Sequence, residues 1–349
     1  MPTLLALMNS LWSTFHFLYS STLSTTILPR YRRNAEVECP SHPDAALKTK
    51  TAGHSTVERS NAPISYPQEI TYICVSGSAE GGDSPGFSRK SEACPGEVIY
   101  VTKGKPLAWG GTAVLERLPS GAVVKTPIPN PYCRPEEEDH CRNMRLEAKI
   151  YAMIGEHPCV PKILNWDQET CCLTMEYLEN GKLKEYIQHN VTKLTLQLQL
   201  QWSRQVAQAL GVLHAHQVIH CDLSPRNFLF DSSLNVKIAD FGGASLCGSD
   251  PSATPATRFR PPGYDWNVVP VLKDDIFGLG SLIYFIMTGT YPYKDILSDE
   301  VEKLYEVHQF PDTTNVICGI VISLCWHRQI HSAQNVHDAV AAVEVEYLP

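Results

Sequence analysis

The order of two sequence patterns limits the fold of this chain more than any other feature. Short apolar or alternating runs typical of strands fill residues 97–127 and 161–177, with one helical stretch between them. Beyond the break at residues 179–181 the spacing changes, and apolar residues recur at helical intervals, as at Leu200, Val206 and Leu210. Strands first and helices later predict an α+β protein in two lobes. The small β-rich lobe is expected over residues 96–178 and the larger helical lobe over residues 179–349.

The first 95 residues differ in composition from the rest of the chain. Residues 29–95 are rich in Pro, Ser, Thr, Gly and charged residues, which cannot supply a core, so we expect residues 1–95 to be a disordered extension. Residues 4–28 lean apolar, but polar residues interrupt them before a run of about 18 apolar residues is reached. No membrane span is therefore expected. The segment also lacks the basic start of a secretory signal.

Charge and cysteine content exclude other classes of protein. Lys and Arg number 29 against 37 Asp and Glu, a net charge of −8, so no whole-chain basic field exists for nucleic acid. The 12 cysteines contain no C-x-x-C pair, which argues against a structural zinc site. We therefore expect reduced thiols in a cytoplasmic or nuclear protein, and a monomer without a nucleic-acid partner.

Two charged residues fall at informative places in the β-rich part. Lys125 ends the apolar run of residues 122–124, which aims an ammonium into a cleft, and Glu147 lies on the following helix, where it can pair with that ammonium. Phosphoryl transfer requires that the negative charge of the phosphates be neutralised and that the acceptor oxygen be positioned in line. Either residue alone is usually a solvated surface group, so neither predicts a site by itself.

Residues 218–242 carry two polar turns between apolar runs. In the first turn Asp222 and Asn227 are five residues apart, and the second turn is Asp240-Phe241-Gly242. An Asp can orient and accept a proton from a hydroxyl, and an Asn amide oxygen can bind Mg²⁺. A second Asp would be the main ligand of a hard cation. Such turns are common singly, but both in this order, after Lys125 and Glu147, predict a phosphotransfer site.

With these motifs, residues 96–346 resemble the eukaryotic protein kinase family. Residues 122–125 resemble its strand lysine motif, residues 220–222 its catalytic loop and residues 240–242 its metal-binding turn. Asp275 resembles the buried Asp that braces the catalytic loop. The resemblance implies a two-lobed kinase fold that binds ATP and Mg²⁺ and phosphorylates a protein substrate.

The resemblance also implies a role for each matched residue. The catalytic residues are Asp222, Lys125, Glu147 and Asn227, and the metal ligands are Asn227 and Asp240. The nucleotide is expected to contact the glycine-rich turn, the sheet, the hinge and the floor of the cleft. The residues that it implies there are Gly110, Gly111, Leu115 (or Val114, if the register shifts by one), Val123, Lys125, Met175, Glu176, Leu178 and Leu229.

Three departures from the family pattern modify these expectations. Ala108 and Ala113 stand at the outer positions of the glycine-rich loop, which reduces backbone freedom there. Cys221 replaces the Arg that receives a phosphorylated activation loop in many members, so the loop is of the non-RD type. We expect activity without activation-loop phosphorylation. Gly263 replaces the Glu whose ion pair anchors the end of that segment, so ordering of the segment is expected to suffer.

The substrate and two alternatives stay open at this point. Ser224 stands where Ser/Thr-directed members carry Lys, and Arg226 stands where Tyr-directed members often carry Arg, so neither pattern is complete. We favour Ser/Thr as the larger class. One alternative is a pseudokinase scaffold, which the altered glycine loop, Cys221 and Gly263 suggest. The other is a small-molecule kinase of the aminoglycoside or choline type, against which the helix signature around Asp275 argues.

Two further patterns carry simpler predictions. The acidic run at residues 136–139 is most simply a solvated loop between strand and helix, or else a surface that attracts basic substrates. His220 is expected to pack beneath Phe241. His214 and His216 are expected to face solvent or a helix end rather than a metal.

Overall fold

An antiparallel sheet with a helix against it forms the first part of the computed structural model, which describes residues 71–76 and 97–348. Two strands precede this sheet, β1 (Thr71–Ser76) and β2 (Glu97–Thr102). The sheet itself contains β3 (Lys105–Trp109), β4 (Ala113–Arg117), β5 (Val123–Pro127), β6 (Ile163–Asp167) and β7 (Cys172–Met175). Its strand order is β3-β4-β5-β7-β6, so β5 lies in the centre.

Helix α1 (Arg134–Ile154) connects β5 to β6 and begins earlier than the sequence pattern predicts. The acidic run, expected as a loop, lies in its first turns. The reason is local, because a proline occupies the first turn and acidic side chains are favourable near a helix N-terminus. Farther along, Glu147, Ile150 and Tyr151 are buried, whereas Met153 on the opposite side is 40% exposed.

The second part of the described chain is mainly helical. Its helices are α2 (Leu183–Asn190), α3 (Leu196–Ala215), α4 (Leu272–Thr288), α5 (Ser298–Glu306), α6 (Gly319–Trp326) and α7 (Ala333–Tyr347). Helix α4 is buried along most of its length and packs against α3 and α6. The side chains of Thr195 and Ser332 accept hydrogen bonds from backbone N–H groups at the starts of α3 and α7. This arrangement confirms the predicted α+β class with a β-rich and a helical lobe.

Four short strands lie between α3 and α4 and carry the two polar turns. They are β8 (Val218–Ile219), β9 (Phe228–Phe230), β10 (Val236–Ile238) and β11 (Ser245–Leu246). Strands β9 and β10 form an antiparallel hairpin in which Phe228 pairs with Ile238. Asn227 and Ala239 therefore adjoin at its open end, where the N–H of Ala239 donates to the carbonyl of Asn227 at 2.9 Å. This pairing brings the two polar turns together.

Strand β1 corrects one part of the predicted extension. Composition predicts disorder for residues 71–76, but they pair in parallel with β2, from Thr71 opposite Glu97 to Ser76 opposite Thr102. The segment contains β-branched and aromatic residues, which suit a strand even within a polar region. The rest of the predicted extension, residues 1–70 and 77–95, lies outside the described residues. None of the helices in the described part of the chain has the length and hydropathy to cross a membrane.

Candidate active site

Lys125, in the central strand β5, makes two ion pairs at the centre of the site. Its Nζ lies 2.6 Å from Glu147 Oε2 on α1 and 2.6 Å from Asp240 Oδ1 in the turn after β10. The side chains of Lys125 and Glu147 are 8% and 1% exposed, whereas that of Asp240 is 55% exposed. Three residues predicted from distant motifs are thus joined, and only the Asp240 side of the group is open to solvent.

The pKa shifts in this group follow from burial and charge. Burial lowers the pKa of the Lys125 ammonium, but the charges of Asp240 and Glu147 outweigh it, and the net shift is upward. The same ammonium lowers the pKa of Asp240. Burial raises the pKa of Glu147 in spite of its contact with Lys125. Both carboxylates contact Lys125 at the same distance, and Asp240 is the more exposed of the two.

The turn at residues 240–242 packs closely against the backbone of helix α1. A Cβ on Gly242 would lie 3.3 Å from the carbonyl oxygen of Asn143, tighter than most such contacts, so the turn rests directly on the helix backbone. Asp240 itself has a φ of +71°, a left-handed conformation that non-glycine residues rarely adopt. The rings of Phe241 and Tyr151 are 4.7 Å apart between centroids and fill the space beneath.

Asp222 and Asn227 form the second part of the site. The Nδ2 of Asn227 donates to the backbone oxygen of Asp222 at 2.8 Å and to its Oδ2 at 3.0 Å. This leaves the amide oxygen of Asn227 outside the Asp222 contact. Burial raises the pKa of Asp222, and the hydrogen bond from Asn227 opposes this shift. The arrangement presents one carboxylate and one amide oxygen beside the turn that carries Asp240.

Asp275, at the start of α4, holds the backbone of the catalytic loop. Its Oδ2 accepts from the N–H of His220 at 2.8 Å and its Oδ1 from the N–H of Cys221 at 3.2 Å. His214 differs from its prediction: its ring is buried and its Nε2 lies 3.1 Å from Asp275 Oδ2. No sequence pattern indicates this partner, because the two residues are 61 positions apart.

His220 packs against Phe241, as its position in the motif suggests. The ring centroids are 5.9 Å apart in an edge-to-face arrangement. Its Nδ1 lies 3.2 Å from the backbone nitrogen of Asp222, and its Nε2 lies 3.2 Å from the carbonyl oxygen of Ala239. These contacts fit a neutral ring with the proton on Nε2. The ring thereby ties the catalytic loop to the strand that precedes Asp240.

The pairing of β4 with β5 shows which of the residues expected at the nucleotide lie on the same face of the sheet as Lys125. Leu115 and Lys125 are directly opposed on β4 and β5, and alternation places their side chains on one face of the sheet. Val114 packs on the other face with Tyr100 and Ile128. Leu115, rather than Val114, therefore shares the face of Lys125.

Two further predicted contacts pair across the centre of the sheet. Val123 on β5 lies opposite Met175 on β7, and both side chains are buried. Leu178 is buried after β7, and Leu229 is half-buried in β9. These four apolar side chains belong to the sheet, the hinge and the floor of the cleft. A nucleotide role for them stays a prediction.

Gly110 and Gly111 form the turn between β3 and β4. The N–H of Gly110 donates to the carbonyl of Ala113 at 2.9 Å, which closes the turn. A Cβ on Gly110 would lie 3.2 Å from that same carbonyl oxygen. The turn is therefore tight at Gly110, and its contact with phosphates stays a prediction.

The side chain of Glu176 bridges the two lobes, which the sequence pattern did not indicate. Its Oε1 accepts from the backbone N–H of Lys162 at 2.7 Å and from Lys237 Nζ at 2.6 Å. Lys162 precedes β6, and Lys237 lies in β10. Next to it, the guanidinium of Arg117 lies 3.9 Å from the ring centroid of Tyr177. The hinge is therefore held by one ion pair and one cation–π contact.

The end of the activation segment is anchored without an acidic residue at Gly263. Arg258 Nε donates to the carbonyl of Pro292 at 2.9 Å, and its Nη2 donates to the carbonyls of Tyr293, at 3.1 Å, and Ile296. The expected loss of order therefore does not follow from the missing Glu, because backbone carbonyls hold the segment instead.

Arg260 provides a second attachment for the same segment. Its Nη2 lies 2.7 Å from Glu302 Oε1 on α5. Its guanidinium also lies 4.9 Å from the ring centroid of Trp266, within the range of a cation–π contact. The segment is thus tied to α5 as well as to the chain that precedes α5.

The oxygen atoms in this cleft fit a hard divalent cation. Such cations prefer carboxylate and amide oxygens, with water and phosphate completing the shell. Asp240 Oδ1 contacts Lys125, which leaves Oδ2 of the same carboxylate, and the amide oxygen of Asn227 is not used by Asp222. Asp240 and Asn227 are thus the residues that could hold a metal.

A protein family model matches more than half of the chain. It is described as "Protein tyrosine and serine/threonine kinase" and covers residues 132–341. That range includes Glu147, Asp222, Asn227 and Asp240, while Lys125 precedes it.

Several curated proteins are similar to part of the chain. The dual specificity protein kinase pyk3 of Dictyostelium discoideum is 28% identical over 178 residues, which are 49% of this chain and 13% of that protein. The serine/threonine-protein kinase PrkC of Bacillus subtilis is 29% identical over 164 residues, 45% and 25% respectively. The mitogen-activated protein kinase kinase kinase 13-B of Xenopus laevis is 33% identical over 133 residues, 37% and 14%. The matches span a quarter or less of these relatives' own length.

Proposed function

The chain belongs to the protein tyrosine and serine/threonine kinase family, and from this premise we propose that it transfers the γ-phosphate of ATP to a hydroxyl group of a protein. One observation carries the proposal: Lys125 Nζ lies 2.6 Å from both Glu147 and Asp240. A scaffold that had lost both nucleotide binding and phosphotransfer would not need this buried lysine with two carboxylates.

The residues divide the reaction between binding and orientation. Glu147 keeps Lys125 directed into the cleft, where its ammonium neutralises phosphate charge. Because Asp240 is the more exposed partner, Lys125 can exchange that contact for a phosphate oxygen. Asp222 accepts a hydrogen bond from the substrate hydroxyl and receives its proton as the new bond from that oxygen to the γ-phosphorus forms. The bond from the γ-phosphorus to the β,γ-bridging oxygen breaks in the same step, and ADP is the leaving group. Asn227 holds the Asp222 carboxylate in place.

Mg²⁺, when bound, supplies charge compensation for the phosphates. Asp240 and Asn227 would hold it through the oxygen atoms described above. The substrate class follows less directly, and we favour Ser and Thr over Tyr. PrkC is named a serine/threonine kinase, which supports that order, whereas pyk3 is named a dual specificity kinase, which favours neither class.

The proposal also covers the cellular compartment and a second candidate function, in which the chain binds ATP without transferring phosphate. The ten cysteines in the described part are free thiols, which supports a reducing compartment such as the cytoplasm or nucleus. A pseudokinase that binds ATP without transfer is the second candidate, because Ala108 and Ala113 replace glycines of the phosphate-binding loop.

The experiment compares the full chain with its Asp240→Ala variant in Mg²⁺-[γ-³²P]ATP. Acceptors are mixtures of Ser/Thr and Tyr peptides and, separately, amino-alcohols. We expect transfer to peptides by the wild type, at least about 100-fold less by the variant, and none after EDTA treatment. Equal transfer by both proteins would indicate a contaminant and overturn the proposal. Transfer to amino-alcohols alone would favour a small-molecule kinase, and ATP binding without transfer would favour the scaffold.

A further inference from the structure

Strands β1 and β2 place two aromatic rings against the residue that precedes the glycine turn. The ring centroid of Trp109 lies 5.1 Å from that of Tyr72 on β1 and 5.4 Å from that of Tyr100 on β2. These distances are typical of favourable aromatic pairs. Trp109 is the last residue of β3, and Gly110 and Gly111 follow it directly. Strand β1 also lies well before residue 132, where the family match begins.

Each of the two tyrosines is fixed at its far end by a hydrogen bond. The hydroxyl of Tyr72 donates to the carbonyl of Pro129, after β5, at 2.9 Å. The hydroxyl of Tyr100 donates to Glu116 Oε2 on β4 at 2.8 Å. Glu116 is fully buried, and its other oxygen accepts from the backbone N–H of Lys103 at 2.9 Å. Both rings are therefore attached to the central strands of the sheet and the residues that follow them.

The glycine turn has two backbone hydrogen bonds of its own, from the N–H of Gly110 to the carbonyl of Ala113 and from the N–H of Ile128 to the carbonyl of Thr112, and Gly111 takes part in neither. An added Cβ on Gly111 would meet no atom within 4 Å, and the ladder between β3 and β4 is irregular between Pro106 and Ala108. Trp109 stays 43% exposed even with both tyrosines beside it. The contacts to Tyr72 and Tyr100 are consequently a main restraint on the strand that leads into the turn.

We propose that Tyr72 and Tyr100 are positioning residues, which hold Trp109 and through it set the Gly110–Gly111 turn for the phosphates of the nucleotide. The inference rests on the proposed function for the identity of that nucleotide. Under this proposal β1, which lies outside the family-matched range, contributes to nucleotide binding by positioning the glycine turn. The tyrosines act through Trp109 and touch no substrate.

The test uses the full chain and three variants. Tyr72→Leu removes the ring, Tyr72→Phe keeps the ring but loses the hydrogen bond to Pro129, and Tyr347→Leu is a control at an exposed tyrosine of α7. The first readout is hydrogen exchange of the amides of residues 110–113 without nucleotide. The second is the Kd for Mg²⁺-ATP by calorimetry together with kcat in the transfer assay.

For Tyr72→Leu we expect exchange in the turn to rise about 5-fold and the Kd for ATP to rise by a similar factor, on the scale of one aromatic pair. The kcat should stay within about 2-fold, because the residues that act on the phosphoryl group are unchanged. Tyr72→Phe should restore most of the affinity, and Tyr347→Leu should match the wild type. If Tyr72 had a merely structural role, the variant would lower the free energy of unfolding but would not raise the Kd for ATP while kcat stayed unchanged.

The proposal would be overturned if Tyr72→Leu showed the same hydrogen exchange and ATP affinity as the wild type. It would also be overturned if Tyr72→Phe and Tyr72→Leu lost ATP affinity equally. If Tyr72→Leu does not fold, Trp109→Leu replaces it, since that variant removes the other ring of the same contact and carries the same expectations. A wild type that transfers no phosphate overturns the proposed function alone. The exchange comparison uses no nucleotide and decides the restraint on the turn separately.

Discussion

Asp222 is the residue whose chemistry depends most on its immediate surroundings. Burial raises its pKa, while the hydrogen bond from Asn227 and the charge of Arg226 lower it. A carboxylate accepts a proton only when it is ionised, so transfer should be present above this pKa and lost as the pH falls through it. The net upward shift places this loss at a higher pH than an ordinary aspartate would give.

Replacing Arg226 with Gln should move the acid side of the pH–rate profile to higher pH. The substitution removes a positive charge that lowers the pKa of Asp222. Because Arg226 is exposed and its charge is screened by solvent, we expect a small displacement of the acid side of the kcat/KM profile to higher pH, which diminishes as the salt concentration rises. Arg226→Lys keeps the charge and serves as the control. Superimposable profiles for Arg226→Gln and the wild type at low salt would contradict the prediction.

Sequence alone identifies the charged residues of the site but not how they are held. Lys125, Glu147 and Asp240 could be chosen because each belongs to a motif with its own spacing. The contacts of Asp275 with His214 and of Glu176 with Lys237 could not, because each joins residues 61 positions apart with no local pattern. Long-range packing decides such contacts, and a single sequence contains no direct signal of it.

At the scale of elements, helix packing in the second lobe depends on small residues. A Cβ on Gly280 of α4 would lie 2.6 Å from the Cβ of Cys325 on α6, closer than real side chains approach. A Cβ on Gly211 of α3 would lie 3.8 Å from the Cβ of Ala333, an ordinary contact. Two helical glycines thus differ in whether the neighbouring helix leaves room for a methyl group.

These two glycines should respond in opposite directions to substitution by alanine. In a helix interior, alanine is more favourable than glycine by about 1 kcal/mol. Gly211→Ala should therefore leave the free energy of unfolding unchanged or raise it. In Gly280→Ala the clash with α6 should outweigh that gain and lower the free energy of unfolding by about 1–3 kcal/mol. Urea unfolding followed by circular dichroism measures both. A Gly280→Ala protein as stable as Gly211→Ala would show that α6 accommodates the methyl group.

Element boundaries show where local patterns mislead. The order of strands and helices was predictable, because periodicity extends over long segments such as α3. Four acidic residues in a row resemble a solvated connection, although their charges favour the helix N-terminus that they form in α1. Strand β1 contains strand-favouring residues, but six residues within a polar region are too short a pattern to predict a strand. Pairing with β2 provides the missing stabilisation.

At the scale of the whole molecule, contacts of Arg258 and Arg260 hold the end of the activation segment. Cys221 is buried, and its Sγ lies 3.3 Å from the carbonyl oxygen of Ile219. It offers no cation where many family members have one. Arg258 and Arg260 instead attach the end of the segment to the region around α5. The order of the segment therefore depends on contacts present before any modification.

Phosphatase treatment of the purified chain should consequently leave its kinase activity within about 2-fold of the untreated level. Mass spectrometry should confirm that residues 240–263 carry no phosphate after treatment. A heat-inactivated phosphatase is the control. A large loss of activity, recovered when phosphate returns to that segment, would show that the segment requires modification after all.

The anchor at Arg258 has a consequence for how genetic variation can affect this protein. Its partners at Pro292, Tyr293 and Ile296 contribute main-chain oxygens, and every amino acid supplies that same atom. An ion pair between side chains can be broken by mutation at either partner, whereas in these three contacts only Arg258 contributes a side chain. The remaining contact, from Arg258 Nη1 to Ser298 Oγ at 3.2 Å, is the one that a side-chain change opposite Arg258 could remove. Among Arg258 and its three main-chain partners, inactivating missense alleles in a random screen should therefore gather at 258 and spare the side chains opposite it.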